Sequence, residues 1–265
     1  MLTVLEKIGA GVIRNVCMFI GFLLLLAETI RWIVICPFRK KPIDWKAVSE
    51  QMVFMGVNSL IIVFFVIFFT GVVLAMQSAI QLQKMGGLIY VASLVSISIC
   101  RELGPVLTAL VIAGRIGAAI TAEIGSMKVN EQIEALETMG ISPVRYLVVP
   151  KLISLFFMLP TLTVIGDAGG LLGGYIIGVT NLGINSGLYI HTAMKFLSLK
   201  DIYTGLSKSF VFAIIITMVG AYHGLNTEGG AVGVGKSTTD SVVISFILII
   251  AADCILTGLY FFSGV

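Results

Sequence analysis

Residues 51–83 read QMVFMGVNSLIIVFFVIFFTGVVLAMQSAIQLQ, and the stretch contains no charged side chain. A helix needs about 20 mainly apolar residues to cross the hydrocarbon core of a bilayer. Residues 51–83 therefore predict a membrane-spanning helix. This helix decides the fold class, because lipid offers the backbone no hydrogen-bond partners and favours segments that pair their own polar groups.

The composition of the whole chain agrees with a membrane protein. Of its 265 residues, 58% are hydrophobic and 12% are charged, whereas a soluble domain carries roughly 25% charged residues. The net charge of +3 is too small to indicate a nucleic-acid partner. The basic residues are concentrated locally at Arg39, Lys40 and Lys41, beside the first span.

Four further apolar stretches predict spans, which makes the chain an all-α integral membrane protein with five transmembrane helices. The second stretch contains Arg101, Glu102 and Arg115, but its uncharged pieces are too short to cross a bilayer separately, so we expect one long helix kinked at Pro105. The charges of residues 1–47 are too closely spaced for a span, so this part predicts an amphipathic arm in the interface, before a membrane domain over 48–265. The four stretches are 88–124, 152–180, 209–225 and 241–262.

The distribution of Lys and Arg predicts the orientation, since cytoplasmic loops carry more of them. With the amino terminus in the cytoplasm, eleven fall on the cytoplasmic side and four on the outer side. The four outer residues are Lys84, Lys195, Lys200 and Lys208. The carboxyl terminus is then outside.

Small residues recur in the third span at Gly166, Gly170, Gly174 and Gly178, each four residues after the last. Such a stripe lets two helices approach closely in lipid. The pattern fits packing within the chain and a contact between two subunits equally well.

The segment between the second and third spans predicts a short helix at the membrane surface, over 128–140. Val129, Ile133 and Leu136 fall on one side of it, and Gly140 can end it. Its apolar side could fill a groove on a soluble partner, or the segment could be a solvated connector. Glutamates occupy another side, at Glu131, Glu134 and Glu137.

Residues 230–237, GAVGVGKS, match the phosphate-binding P-loop pattern at every fixed position. A P-loop needs a preceding strand and a βαβ unit, and the sequence predicts neither. The stretch is therefore interpreted as a glycine-rich turn between the fourth and fifth spans, in which Ser237, Thr238 or Thr239 caps the fifth span. No nucleotide binding is expected from this chain.

Four cysteines and two histidines are available as metal ligands, and none of the cysteines forms a C-x-x-C pair. A zinc site is not expected from this set. All four cysteines lie in or beside apolar runs and are expected to be buried free thiols: Cys17, Cys36, Cys100 and Cys254.

Two stretches resemble the MlaE/YrbE-type permeases of MCE-associated ABC lipid transport systems. They are RELGPVLTALVIAGRIGAAITAEIGSMKVNEQIEALETMGISP (101–143) and EGGAVGVGKSTTDSVV (228–243). The string Glu134-Ala135-Leu136, followed by Gly140 and Pro150, also resembles the "EAA" coupling loop of ABC importer permeases, with Leu136 in place of the second alanine. The resemblance runs from about residue 50 to the end.

This resemblance implies a homodimeric permease of the cytoplasmic (inner) membrane, or of an organellar envelope. It implies a docked cytoplasmic ABC ATPase dimer that binds ATP and Mg, and an outer MCE-domain protein that carries the phospholipid cargo. No cofactor is expected on this chain. Contact with the ATPase is expected through Glu131, Glu134, Ala135, Leu136, Glu137 and Gly140.

Two alternatives to phospholipid transport stay open. The cargo could be another hydrophobic molecule, such as a sterol or a fatty acid. The chain could also be a membrane-embedded lipid-modifying enzyme, although neither an H-x-x-x-D nor an H-E-x-x-H motif occurs in it.

Ionisable residues inside spans usually pair or line a wet cavity, and Arg101 and Glu102 lie deep in the second span. They could compensate each other, or line a cavity for a lipid headgroup. Neighbouring residues on a helix point in different directions, so we expect separate partners for the two. Gln77 and Gln81 could belong to the same cavity or to a water-exposed helix end. The other ionisable residues in or near the spans are Arg115, Glu123, Asp167 and Asp253.

Overall fold

The computed structural model describes residues 20–34 and 44–263, and within these ranges the regular structure is entirely helical. Five helical segments are long and apolar enough to cross a membrane. The predicted fold class, an all-α integral membrane protein with five spans, is confirmed. The segments are Trp45–Lys84, Leu88–Val129, Val144–Thr180, Leu199–Leu225 and Gly230–Phe262.

The first span is broken near its start. Helix α2 (Trp45–Met55) is followed by a short 3-10 turn (Val57–Ser59) and then by α3 (Leu60–Lys84). The break occurs at Gly56, where any side chain would overlap Met158. Asp44 caps α2 by accepting hydrogen bonds from the amides of Lys46 and Ala47.

The predicted interfacial arm is described only over helix α1, residues 20–34, since residues 1–19 and 35–43 lie outside the described ranges. Trp32 of α1 packs beside a small buried cluster of Val48, Val149 and Ile153. The guanidinium of Arg145 lies 5.8 Å from the centre of the Trp32 ring. Helix α1 therefore contacts the same end of the bundle as α2.

The second span is one continuous helical rod, as predicted, but its irregularities are π-helical segments. Helices α4 (Val91–Ser98), α5 (Gly104–Ile112) and α6 (Ala118–Val129) are joined by π turns. Pro105 lies in the first turn of α5, where a missing amide hydrogen is tolerated. The π turns, which each contain charged residues of the span, are Ile99–Leu103 and Ala113–Gly117.

The remaining helices complete the bundle and define its two ends. Helix α7 (Gln132–Thr138) is short, and α8 begins after another π turn. We call the bundle end that carries α7 the α7 end, and the opposite one, which carries α9, the α9 end. The other helices are α8 (Val149–Thr180), α9 (Ser186–Phe196), α10 (Leu199–Leu225) and α11 (Gly230–Ser263).

The glycine stripe of α8 packs within the chain. A side chain at Gly71 of α3 would overlap the carbonyl of Gly170, and one at Gly173 would overlap the carbonyl of Phe68. The stripe continues toward the α9 end, where Gly178 lies against the ring of Tyr189. Of the two interpretations left open by the sequence, packing within the chain is the one that the structure shows.

Helix α10 begins ten residues before the predicted fourth span, so the assignment of Lys208 to an outer loop was wrong. Ser198 and Asp201 form a capping box that starts the helix. Lys208 is fully buried within it. The predicted span began only after Lys208, because a hydropathy scale treats a lysine as solvent-exposed. In the structure, acidic side chains compensate the charge of Lys208.

The GAVGVGKST stretch is also different from the prediction, because it forms the first turns of α11 rather than a loop. The turn occurs earlier, at Gly229 and Gly230, which have φ angles of 88° and 69°. The Thr238 and Thr239 hydroxyls donate to the carbonyls of Val234 and Gly235 within the helix instead of capping it. The preceding element is α10 rather than a strand, so the geometry of a P-loop is not formed here.

Candidate functional site

The π turn Ile99–Leu103 sets the position of Arg101 and Glu102 in the membrane core. A π turn inserts one extra residue into a helix and often occurs at functional sites. Helix α10 approaches it closely, since a side chain at Gly205 would overlap the carbonyl of Cys100. On another side, the carboxylate of Asp167 in α8 occupies the space left by Gly104. The turn is thus held between two neighbouring helices.

Arg101 pairs with Asp201 at the start of α10. Their nearest atoms, Nη1 and Oδ1, are 3.5 Å apart. Asp201 is also engaged by Ser198, whose hydroxyl donates to Oδ2 over 2.7 Å. An arginine has five N–H donors, and among the described residues Arg101 makes this one long contact, which leaves most of them available. The Arg101 side chain is 32% exposed, so these donors are accessible.

Glu102 pairs with a different cation, Lys208 of α10, whose side chain is 1% exposed. The Lys208 ammonium also lies 2.8 Å from Oδ1 of Asp253 in α11. It donates to the Thr257 hydroxyl over 2.7 Å. Three helical elements therefore meet at one buried lysine. We call Arg101, Glu102, Asp201, Lys208, Asp253 and Thr257 the core cluster.

The core cluster contains two cations and three carboxylates, so it has one carboxylate in excess. Lys208 lies nine residues after the start of α10, which places it about 14 Å from the α9 end at 1.5 Å per residue. Such a cluster inside a span is costly unless paired. Its chemistry suits a ligand with an anionic group for Arg101 and apolar parts that stay in the hydrophobic surroundings.

The sequence located part of this cluster. The prediction that Arg101 and Glu102 have separate partners is confirmed. Gln77 and Gln81 lie on exposed positions of α3, and no hydrogen bond within the described residues joins them to the cluster. Sequence reasoning missed Asp201, Lys208 and Thr257, although two spacings could have indicated them. Asp201 and Lys208 are two turns apart on one helix, and Asp253 and Thr257 are one turn apart on another.

The coupling segment predicted over 128–140 contains helix α7, which is shorter than the prediction because α6 continues to Val129. Glu131 has φ 57° and separates the two helices. Gly140, with φ 72°, ends α7: its amide donates to Glu137, and the Ile141 amide donates to Leu136. This is a Schellman motif, so the prediction that Gly140 ends the helix is confirmed.

The apolar side of α7 packs against the helical bundle of its own chain. It is therefore not available to fill a groove on a soluble partner, which was one of the two possibilities left open by the sequence. Ile133 is buried in the main core and Leu136 packs against it. The outward surface is formed by Glu131, Gln132, Ala135, Glu137, Thr138 and Met139, and its only charged members are the two glutamates. Glu134 is bound by the ammonium of Lys128, and this hydrogen bond lowers the pKa of the Glu134 carboxyl. The exposed surface of α7 is therefore acidic.

The described residues contain no group of three His, Cys, Asp or Glu side chains that could hold a metal ion. Cys100 is buried as predicted, but Cys254 is exposed on α11, so that expectation was wrong for Cys254. Burial of Cys254 was expected because it lies in an apolar run. Helix α11 presents apolar residues outward, so an apolar run in this helix does not indicate burial. Cys17 and Cys36 lie outside the described residues.

Comparison with known proteins gives a family match over most of the chain. The model of the family described as "Permease MlaE" matches residues 48–259. A probable ABC transporter permease protein of Rickettsia typhi is 41% identical over 230 residues, 87% of this chain and 89% of the relative. A protein of the same description from a Synechocystis species is 41% identical over 212 residues, 80% of this chain and 81% of that protein. The intermembrane phospholipid transport system permease protein MlaE of Haemophilus influenzae is 35% identical over 216 residues, covering 81% and 83% of the two chains.

Proposed function

This chain belongs to the MlaE permease family, and we propose that it is the non-catalytic membrane subunit of an ABC transporter that moves phospholipid between the membrane and an MCE carrier protein. The observation that carries this proposal is the core cluster. Arg101 offers unused N–H donors inside the membrane, and a phosphodiester is the ligand that guanidinium groups bind best among lipid headgroup components.

The assembly that we propose is a homodimer built on α11. Only 11% of the apolar stretch of this helix is buried within one chain, against 61% for the span that contains α8. Its outward residues form one helical stripe, and a charged residue of the core cluster, Asp253, lies on the same helix. A second copy packed on the stripe would enclose the cluster. The stripe consists of Val243, Ile247, Ile250 and Cys254.

The energy source in this proposal is a separate ATPase dimer, which binds ATP and Mg and docks on the acidic surface of α7. The α7 end is then cytoplasmic, the amino terminus is cytoplasmic, and the membrane is the inner membrane or its organellar equivalent. The MCE carrier contacts the α9 end, where α9 itself carries exposed apolar residues. These residues are Leu188, Ile190, Met194 and Phe196.

The test of this function is transport by the complete complex in vesicles with labelled phospholipid in one leaflet. We expect ATP-dependent movement, reduced roughly tenfold in Arg101→Gln, because one hydrogen-bonded charge contact contributes about 1.5–3 kcal/mol. Arg31→Gln is the matched control, since Arg31 is an exposed arginine on α1 outside the core cluster. Movement of a labelled sterol or fatty acid in place of phospholipid would contradict the cargo assignment.

A further inference from the structure

A polar cavity lies at the α7 end, remote from the core cluster. It occupies about 370 Å³ between α2, α6 and the segment that follows α7, a size within the roughly 300–1,000 Å³ of small-molecule sites. Its polar lining comes from Asp44, Gln51, Glu123, Arg145, Tyr146 and Lys151. Two carboxylates and two cations thus face one cavity.

The aromatic residues around this cavity place it at the level of lipid headgroups. Trp45, beside the rim residue Asp44, is 65% exposed, and Tyr146 in the lining is 58% exposed. Exposed Trp and Tyr side chains collect at the membrane–water interface. Val53 and Phe54, further along α2 toward the bundle, are exposed apolar residues suited to lipid contact. The headgroup of a lipid beside α2 can therefore reach the cavity.

The basic groups of the cavity are held in place by contacts of their own. The Lys151 side chain is 3% exposed, and its ammonium lies 2.6 Å from Oε2 of Glu123. The Arg145 guanidinium lies 5.8 Å from the centre of the Trp32 ring, within the range of a cation–π contact. A guanidinium held beside a ring still presents N–H donors at its edge. One wall thus offers positioned donors for a phosphodiester.

The part of the lining that α2 contributes offers acceptors that require a donor. Oε1 of Gln51 is buried and has no hydrogen-bond partner in the part of the chain that the structure describes. A buried acceptor without a partner is destabilising, and it is satisfied by a ligand that brings an N–H group. Asp44, whose Oδ1 caps α2, adds negative charge on the same side. A primary ammonium supplies both the hydrogen bond and the compensating charge.

We infer that this cavity binds the zwitterionic headgroup of a phosphatidylethanolamine-type lipid, with the phosphodiester at Arg145 and Lys151 and the ammonium at Gln51 and Asp44. The balanced charges of the cavity disfavour a purely anionic headgroup. A choline headgroup has no N–H to donate to Gln51. Because Ile141 and Arg145 in the lining directly follow α7, the bound lipid fastens the coupling segment to α2. This site shares no residue with the core cluster, and the inference does not depend on the cargo.

The test measures lipid binding to the purified full-length chain alone, by native mass spectrometry after delipidation in detergent. Phosphatidylethanolamine, phosphatidylcholine and phosphatidylglycerol with identical acyl chains are titrated separately. We expect one phosphatidylethanolamine per chain, bound at least roughly tenfold more tightly than the other two, since hydrogen bonds to charged groups contribute that much. Equal retention of the three lipids would overturn the inference, as would no retention in the absence of the ATPase, because a segment of the ATPase would then be the better occupant.

Two variants locate the binding in this cavity. Gln51→Leu is expected to bind phosphatidylethanolamine and phosphatidylcholine equally, and Arg145→Gln to weaken phosphatidylethanolamine roughly tenfold. Lys46→Gln is the matched control, because Lys46 is an exposed cation on α2 outside the lining. Gln51→Glu keeps an acceptor and is expected to retain the preference for phosphatidylethanolamine over phosphatidylcholine. This variant still tests the role of position 51 if Gln51→Leu does not fold. Unchanged binding in both Gln51→Leu and Arg145→Gln would overturn the inference.

Soluble glycerophosphoethanolamine separates headgroup recognition from the contribution of the acyl chains. We expect it to compete at millimolar concentration, because the polar contacts of the cavity are all to the headgroup. Glycerophosphocholine at the same concentration is the control. Competition by both compounds to the same extent would contradict the role given to Gln51.

Discussion

Helices α8 and α11 both cross the membrane, but the bundle holds them in different ways. Helix α8 is held by steric fit, since its glycines let α3 and Tyr189 approach its backbone. Helix α11 is mostly exposed, and apart from the buried Ile249 its attachment is largely polar. The polar contacts run from Lys208 to Asp253 and Thr257, from Ser207 to Tyr260, and from Thr121 to Ser241, whose hydroxyls are 2.8 Å apart. Helix α8 is a fixed element of the fold, whereas α11 keeps an exposed apolar surface and carries part of the core cluster.

The largest expected effect comes from filling the α3–α8 contact. Gly173→Leu would drive a side chain into the carbonyl of Phe68, and we expect loss of the folded protein, since backbone cannot move aside at low cost. Expression and thermal unfolding in detergent measure the effect. Gly258→Leu on α11 is the matched control, because nothing lies within 4 Å of a Cβ at that position. Equal stability of the two variants would remove the distinction between the helices.

The next effect concerns the polar attachment of α11. Lys208→Met leaves the carboxylates of Glu102 and Asp253 without their cation, and breaking a buried pair from one side costs about 3–5 kcal/mol. Denaturant unfolding in mixed micelles measures this loss. Lys236→Met is the control, since Lys236 is an exposed lysine on α11. If Lys208→Met were as stable as the control, the core cluster would not hold α11.

Adding Asp253→Asn to Lys208→Met is expected to recover part of the lost stability. The double variant removes a carboxylate that the single variant leaves unpaired. Strict additivity of the two substitutions would show that Lys208 and Asp253 do not interact.

The smallest expected change in stability comes from oxidation of Cys254, which instead reports on assembly. Cys254 lies exposed in the outward stripe of α11, so mild oxidation in the membrane is expected to link two copies with little change in stability. Gel electrophoresis without reductant measures the dimer, with Cys17→Ser and Cys36→Ser to remove other thiols. The control carries Cys254→Ser and Phe157→Cys, which puts the thiol on an exposed position of α8. Linkage through position 157 instead of 254 would place the interface on α8.

The five spans could be predicted because hydropathy depends only on local composition. The start of α10 could not, since Lys208 appears solvent-exposed until Glu102 and Asp253 are brought to it by folding. The π turn Ile99–Leu103 also had no local signal, because its geometry depends on close packing by Gly205 and Asp167. Arg101 and Glu102 were accessible to sequence reasoning because a charge in an apolar segment requires an explanation.

The direction in which the apolar side of α7 faces could not be predicted, for a related reason. The sequence pattern of α7 showed that one side of the helix is apolar. A pattern does not show whether that side packs against the same chain or against another protein. Ile133 is buried in the core of its own chain, which leaves the acidic surface exposed. Gly140 was predicted correctly because a helix end with positive φ is a local property.

The most direct test of the proposed energy coupling compares two glycines in ATP-driven phospholipid transfer by the reconstituted complex. Gly140 and Gly183 both have positive φ, 72° and 65°, with open space around them, and they lie at opposite ends of the bundle. We predict that Gly140→Pro lowers transfer at least roughly tenfold, because proline cannot adopt this φ and loses the amide that closes α7, while Gly183→Pro retains most of it. Transfer at the wild-type rate in Gly140→Pro, or ATP hydrolysis by the purified chain without an ATPase, would contradict the account.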